Sequence, residues 1–191
     1  MKELEEKILK EGKVLPGNVL KVGSFLNHTL DTKLIMNMGK EIARLFSDTE
    51  IDKILTIETS GIPIAFAAGF CMDKPVVFAK KSKTSNISSE CYSASIHSYT
   101  HNNDYQAVVS KDFLKKGEKV LLVDDFLANG QALIGLMEIV KSASAQTVGA
   151  AVAIEKCFQS GGKILRDGGL RVESLAMVES MNDESLTFKN Q

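Results

Sequence analysis

Near-continuous apolar runs alternate with helical stripes along this chain. Val120-Leu121-Leu122-Val123 is wholly apolar, and Thr147-Val148-Gly149-Ala150-Ala151-Val152-Ala153-Ile154 is nearly so. Runs of that kind read as strands buried on both faces, as in a parallel sheet covered by helices. Residues 53–57 and 75–79 are shorter strands of the same type. Between them the period changes to that of a helix. Asp31 can cap a helix whose inner face is Leu34, Met38, Ile42, Leu45 and Phe46. Residues 62–70 form a small-residue helix, with Pro63 tolerable in its first turn. Ala132, Leu133, Leu136, Met137, Ile139 and Val140 mark a third helix. Strands alternating with helices predict an α/β fold around a parallel sheet.

The remaining segments carry weaker patterns. Residues 2–11 put Leu4, Ile8 and Leu9 on one helical face, stopped at Gly12. Val14, Leu15, Val19 and Leu20 flank a Pro16-Gly17 turn and predict a short apolar ribbon, with Phe25, Leu26 and Asn27 in the loop after it. Alternation at Tyr92, Ala94, Ile96 and Ser98 is answered by residues 105–109 across His101-Asn102-Asn103-Asp104, a β-hairpin behind a polar Ser/Thr-rich lead. The tail reads as a short helix with Ile164 and Leu165, then a strand within 170–178. No linker, repeat or low-complexity tract interrupts the chain, which predicts one domain over 1–191.

Composition narrows the function classes. Of the 191 residues, 44% are apolar and 25% charged, and the formal charge is −1. That charge gives no general attraction to nucleic acid or to an anionic membrane. No apolar run has the length of a membrane span, and the charged start reads as a helix rather than a secretory signal. Cys71, Cys91 and Cys157 form no CxxC pair and suit a reducing cytoplasm. His97 and His101 lie four apart, but no further ligand completes a zinc set, so both read as loop residues.

Candidate chemistry gathers at strand ends. After Val123 come Asp124 and Asp125, then Ala128-Asn129-Gly130-Gln131-Ala132, then a helix. The small side chains of that turn let backbone N–H groups approach an anion, and the helix start adds unpaired N–H groups and the positive end of its dipole. The two acids are acceptors suited to hydroxyls of a sugar attached to that anion. Three more strand ends carry Glu58-Thr59-Ser60-Gly61, then Lys80, Lys81 and Lys83, then Glu155-Lys156. Strands of a parallel sheet end at one edge, where ligands bind. Asp124, Ser60, Lys81 and Lys156 are therefore expected to converge.

The stretch 120–132 resembles the phosphoribosyl pyrophosphate (PRPP) signature of type I phosphoribosyltransferases, an apolar strand, two acids, two apolar residues and a short Ala/Asp-Thr-Gly-x-Thr loop. Asn129 and Ala132 stand where the commoner loop has threonines, a variant that looks like the xanthine phosphoribosyltransferase branch. The resemblance implies a parallel-sheet fold with helices on both faces, a flexible β-hairpin flap over 84–110 and a small N-terminal hood over 1–30. It implies transfer of the phosphoribosyl group from PRPP to N9 of xanthine, giving XMP and pyrophosphate, in the cytoplasm. Mg²⁺ would arrive with PRPP, held mainly by substrate. A homodimer is implied too, and apolar residues of the flap and of helix 31–46 are expected to be exposed for it. By the same resemblance, residues 128–132 bind PRPP and Ser60 holds pyrophosphate through its loop. Asp124, Asp125 and Lys81 serve catalysis. Leu20, Asn27 and Lys156 bind xanthine. Hypoxanthine-guanine enzymes carry an Asp where this chain has Ala128. Two other readings share the signature: a transferase for another purine (guanine, hypoxanthine or adenine), and a non-catalytic PRPP-sensing regulator.

Overall fold

The chain starts with helix α1 (Lys2–Glu11), a hairpin of β1 (Lys13–Leu15) and β2 (Val19–Lys21), a π-helical turn at Gly23–Asn27, and helix α2 (Thr32–Leu45). There follow β3 (Lys53–Ile57), α3 (Gly61–Met72), β4 (Val76–Ser82), a second hairpin of β5 (Cys91–Ser98) and β6 (Asn103–Ser110), then β7 (Lys119–Leu127) and α4 (Gln131–Ser142). The chain closes with β8 (Gln146–Lys156), α5 (Gly161–Asp167), β9 (Val172–Met181) and β10 (Leu186–Phe188). This computed structural model describes residues 1–82, 90–98, 103–182 and 185–189. Lys83, His101 and the 84–89 and 99–102 parts of the expected flap lie outside the described residues.

The main sheet has the order β10-β9-β8-β7-β3-β4-β6-β5. Its five inner strands, from β9 to β4, are parallel, and β10, β6 and β5 join antiparallel at the edges. Side chains alternate across it with period two. Ile54, Leu121, Val123, Ala151 and Ala153 pack with α1, α2 and α3 on one face. Leu55, Val120, Leu122, Ala150 and Val152 pack with Leu133 and Leu136 of α4 and Leu165 of α5 on the other. Both faces are covered, which is why these strands read as unbroken apolar runs.

Several expectations change. β7 does not end at Val123. It runs through both acids to Leu127, with Asp124 opposite Val152 and Phe126 opposite Ile154, because β8 continues alongside as far as Lys156. Leu9 is 62% exposed, since Leu4 and Ile8, one turn apart, already fill the inner stripe of α1. Asn27 ends a helical turn rather than lying in a loop, and the buried neighbours Phe25 and Leu26 anchor that turn. Asp31 does cap α2, accepting from Leu34 N at 3.1 Å. The apolar face of that helix is spent on the core: Leu34, Met38, Ile42 and Phe46 are buried. Met36, Ala43 and Leu45 are half-buried, so the exposed apolar residues expected on this helix are not found. Exposed large apolar side chains include Phe66 and Phe70 on α3, Phe78 on β4 and Phe113. Strand β10 carries too little pattern in its three residues to be foreseen.

The second hairpin is built into the sheet. β6 pairs with β4 through Lys80, Lys81 and Ser82. β5 lies against α4, where a Cβ added at Gly135 would meet Ile96 Cγ1 at 2.5 Å. The root of the expected flap is thus part of the core.

Candidate active site

The carboxyl ends of β3, β4, β7 and β8 and the β1–β2 hairpin enclose a cavity of about 470 Å³. All twelve residues singled out above line it: Leu20, Asn27, Ser60, Lys81, Asp124, Asp125, the turn 128–132 and Lys156. Sequence positions more than a hundred residues apart meet because four parallel strands end at one edge.

The turn after β7 is a cradle of backbone groups. Gly130 takes φ +81°, a conformation costly for other residues, and leads directly into α4. Gly161, the first residue of α5, lies beneath it. Gly161 N donates to Ala128 O at 3.0 Å. A Cβ on Gly161 would sit 2.4 Å from Ala128 O and 2.5 Å from Gly130 N. The unpaired N–H groups at the start of α4 are left to an anion.

Asp124 is only 5% exposed. Its Oδ1 accepts from Asp125 N at 2.9 Å. Burial, and then the charge of Asp125, push its carboxyl well above the usual range, against a smaller opposing pull from Lys81. Thr56 Oγ1 is buried beneath it without a hydrogen-bond partner. There is no space between strand and helix here: a Cβ on Gly61 would lie 2.3 Å from Thr56 Oγ1 and 3.1 Å from Asp124 Oδ1.

Asn27 Nδ2 donates to Ser60 Oγ and to Asp125 Oδ2, each at 3.2 Å. Ser60 stands at the start of α3, after a cis Glu58–Thr59 peptide. Glu58 Oε1 accepts from the backbone N of Lys81 at 2.5 Å. The Lys81 ammonium lies 5.0 Å from the centre of the Tyr105 ring, a cation–π contact. Burial raises the Tyr105 phenol, with a further push from Asp124.

Lys156 Nζ donates to Asn18 O of the first hairpin at 2.7 Å and lies 5.7 Å from the Phe126 ring centre. Burial holds its ammonium below the ordinary lysine value. Next to it, Glu155 is buried and receives both Arg166 Nη1 and Nη2 at 2.7 Å, with Ser174 Oγ adding a third bond. Burial alone would raise that carboxyl, but the Arg166 pair and the Ser174 hydroxyl outweigh it and hold it below the usual value.

Sequence reading missed Tyr105, Phe126 and Gly161. The first two look like ordinary strand residues. The only available signal for Gly161 was the Gly161-Gly162 pair just beyond a strand that ends in a cation. Among the described residues, no group of three or more His, Cys, Asp or Glu side chains could hold a metal ion. Asp124 and Asp125 are two adjacent carboxylates, a donor set that fits an ion completing its shell with substrate oxygens and water.

The class follows from this fold: it is a phosphoribosyl transferase domain, and that family matches residues 23–163. Adenine phosphoribosyltransferase from Thermoanaerobacter pseudethanolicus superposes with a TM-score of 0.76 at 20% identity, covering 91% of this chain and 99% of that one. The Giardia lamblia enzyme, complexed with 9-deazaadenine, gives 0.78 at 18%, covering 93% and 98%. At those identities the likeness establishes the type I fold. Sequence relatives narrow it. Xanthine phosphoribosyltransferase of Oceanobacillus iheyensis is 51% identical over 191 residues, covering 100% of this chain and 98% of its own. Xanthine phosphoribosyltransferase 1 of Clostridium perfringens is 50% identical over 190 residues, covering 99% and 100%. The chain belongs to the xanthine phosphoribosyltransferase family.

Proposed function

We propose that this protein transfers the 5-phosphoribosyl group of PRPP to N9 of xanthine, giving XMP and pyrophosphate, as a purine-salvage step in the cytoplasm. The observation that carries the base assignment is Lys156 at the hood side of the cavity, beside the Phe126 ring. An ammonium donates and cannot accept. It suits a 6-oxo purine and not the 6-amino group of adenine.

Glycosyl transfer of this kind passes through an oxocarbenium-like transition state, so the protein's work is positioning and electrostatics. Backbone N–H groups of 128–132 hold the 5′-phosphate, each worth about 1.5–3 kcal/mol toward a charged oxygen. Asp124 and Asp125 orient the ribose hydroxyls and are the residues that would hold Mg²⁺ entering with PRPP. When bound, that ion supplies countercharge to the departing pyrophosphate. Lys81 and the loop at Ser60 receive the pyrophosphate. Leu20, Asn27 and Lys156 bind xanthine, and the 84–110 flap excludes water. The chain works as a single domain and as a homodimer. Ala128 offers no proton acceptor, and xanthine, the most acidic of these purines, supplies N9 with less help. A large rise in xanthine rate on Ala128→Asp would contradict that.

Pyrophosphate release should be measured with PRPP and each of xanthine, guanine, hypoxanthine and adenine. The highest kcat/KM is expected with xanthine. A preference for adenine would move the protein to the adenine enzymes, and no turnover with any base would leave a PRPP-binding regulator.

A further inference from the structure

Lys81 lies on β4 and Lys156 on β8, with β3 and β7 between them. A lysine side chain is long, and holding its ammonium in one place costs rotamer freedom. Here the ammonium is seated on a ring face: Nζ lies 5.0 Å from the centre of the Tyr105 ring. A carboxylate in that place would neutralise the charge. A ring face attracts the cation and leaves its charge for an anion. The ring is itself held by the sheet. Lys81 pairs with Ala107 across β4 and β6, so Tyr105, two residues before Ala107, shares its face on the diagonal. Ile96 stands opposite Tyr105 on β5 and is 2% exposed. A Cβ added at Gly135 of α4 would meet Ile96 Cγ1 at 2.5 Å, so the strand beside the ring is packed without slack. The Tyr105 phenol is raised from the ordinary 10.0, first by burial and then by Asp124, and the ring is neutral at working pH. Tyr105, Lys81, Ser60 and Asp124 line one cavity.

Resting on the reading of Lys81 as a receiver of pyrophosphate, we infer that Tyr105 positions the Lys81 ammonium for that anion. The ring acts through Lys81, so Tyr105 is a positioning residue. An ammonium meets a ring through one side, and the donors on its other side stay directed at the pyrophosphate oxygens. The cost of ordering the side chain is then met by the fold rather than by the substrate, which is preorganisation. The root of the side chain is fixed as well, because the Lys81 backbone N donates to Glu58 Oε1 at 2.5 Å. The electron-rich ring face is the working part and the hydroxyl is not. The effect falls on the pyrophosphate half of the site, since the base contact Lys156 lies across β3 and β7.

The test is steady-state kinetics with product inhibition by pyrophosphate. Tyr105→Leu should raise both KM for PRPP and the inhibition constant of pyrophosphate roughly three- to ten-fold, the range of a partly exposed cation–π contact. KM for xanthine should move less than about two-fold, because that contact does not reach the base. Tyr105→Phe, which keeps the ring face, should restore most of the affinity. Replacing Tyr105 with phenylalanine carrying one, two and then three fluorines keeps the shape while draining the ring face. Affinity for pyrophosphate should fall stepwise along that series. A flat series overturns the inference, and it decides the matter even if Tyr105→Leu fails to fold. The second arm is Lys81→Met. In that background Tyr105→Leu should have no further effect on pyrophosphate, and an effect as large as in wild type overturns the inference, because the ring would then act on packing alone. If Lys81→Met itself leaves KM for PRPP unchanged, the reading of Lys81 falls and the role of Tyr105 with it. If Lys81→Met raises that KM and the fluorine series is flat, only the role of Tyr105 falls.

Discussion

Asp124 shows how burying a single acid beside another works against stability. Its carboxyl is buried beside a second acid, and both effects raise its pKa from the ordinary 3.8. As pH rises above 3.8 the unfolded chain loses this proton first. The folded state then binds more protons than the unfolded one, so stability falls with rising pH until the folded group ionises too. Asp124→Asn should therefore melt higher than wild type at pH 7, by roughly 2–4 °C for each kcal/mol recovered in a chain of this size. The gain should vanish below about pH 4, where the acid is neutral in both states. The same variant should lose catalysis, and thermal melts at the two pH values with a rate assay check both. Lys156 is shifted the other way: burial lowers its pKa from 10.5, so the protonated donor is lost earlier on the alkaline side. The alkaline fall of kcat/KM for xanthine should lie below pH 10.5 and move upward in Lys156→Arg. Lys156→Ala should raise KM for xanthine about 10–100-fold, the loss of one charge-assisted bond, with far less effect on KM for PRPP. The place of both at the cavity was legible in the sequence, Asp124 from the acid pair at a strand end and Lys156 through the family resemblance. Tyr105 and Phe126 were not, because an aromatic on a strand is ordinary until its neighbours are known.

Between elements, the contact that matters most is α5 under the 128–132 turn, the proposed phosphate cradle. Gly161 allows two backbones to touch, and a methyl there would sit 2.4 Å from Ala128 O. Gly161→Ala must push the 128–130 backbone outward. It should raise KM for PRPP at least about ten-fold, leave KM for xanthine nearly unchanged, and cost about 1–3 kcal/mol of stability as an overpacking change. Steady-state kinetics and a denaturant titration read the two effects. Glu155 and Arg166 hold α5 in place for this contact, with Ser174 as the third member. None of this shows in the sequence, since the cradle and the start of α5 belong to elements separated by the whole of α4 and β8. The extension of β7 through its acids was equally hidden, because it depends on where β8 stops.

Across the molecule, the sheet was legible from its apolar runs and their intervening helices. Its strand order was not, nor the pairing of the second hairpin with β4, because alternation says that a strand has two faces and not which strand lies beside it. The apolar residues of helix 31–46 expected to be exposed are instead packed into the core, because one amphipathic stripe cannot say which layer will claim it. Phe66 and Phe70, one turn apart on α3, are 61% and 71% exposed, and the proposed homodimer is expected to cover them. Wild type should sediment as a dimer, and Phe66→Glu with Phe70→Glu as a folded monomer in analytical ultracentrifugation. Helix α4 has a wider consequence. Its first turn begins at Gln131 of the proposed cradle, and one turn on, Gly135 seats Ile96 of the hairpin root. A close-packed rod of this kind transmits displacement rather than absorbing it. On the proposed reading, a 5′-phosphate seated at the start of α4 is expected to act through that helix on Ile96 of the hairpin root, and a ligand lacking the phosphate to leave that root undisturbed.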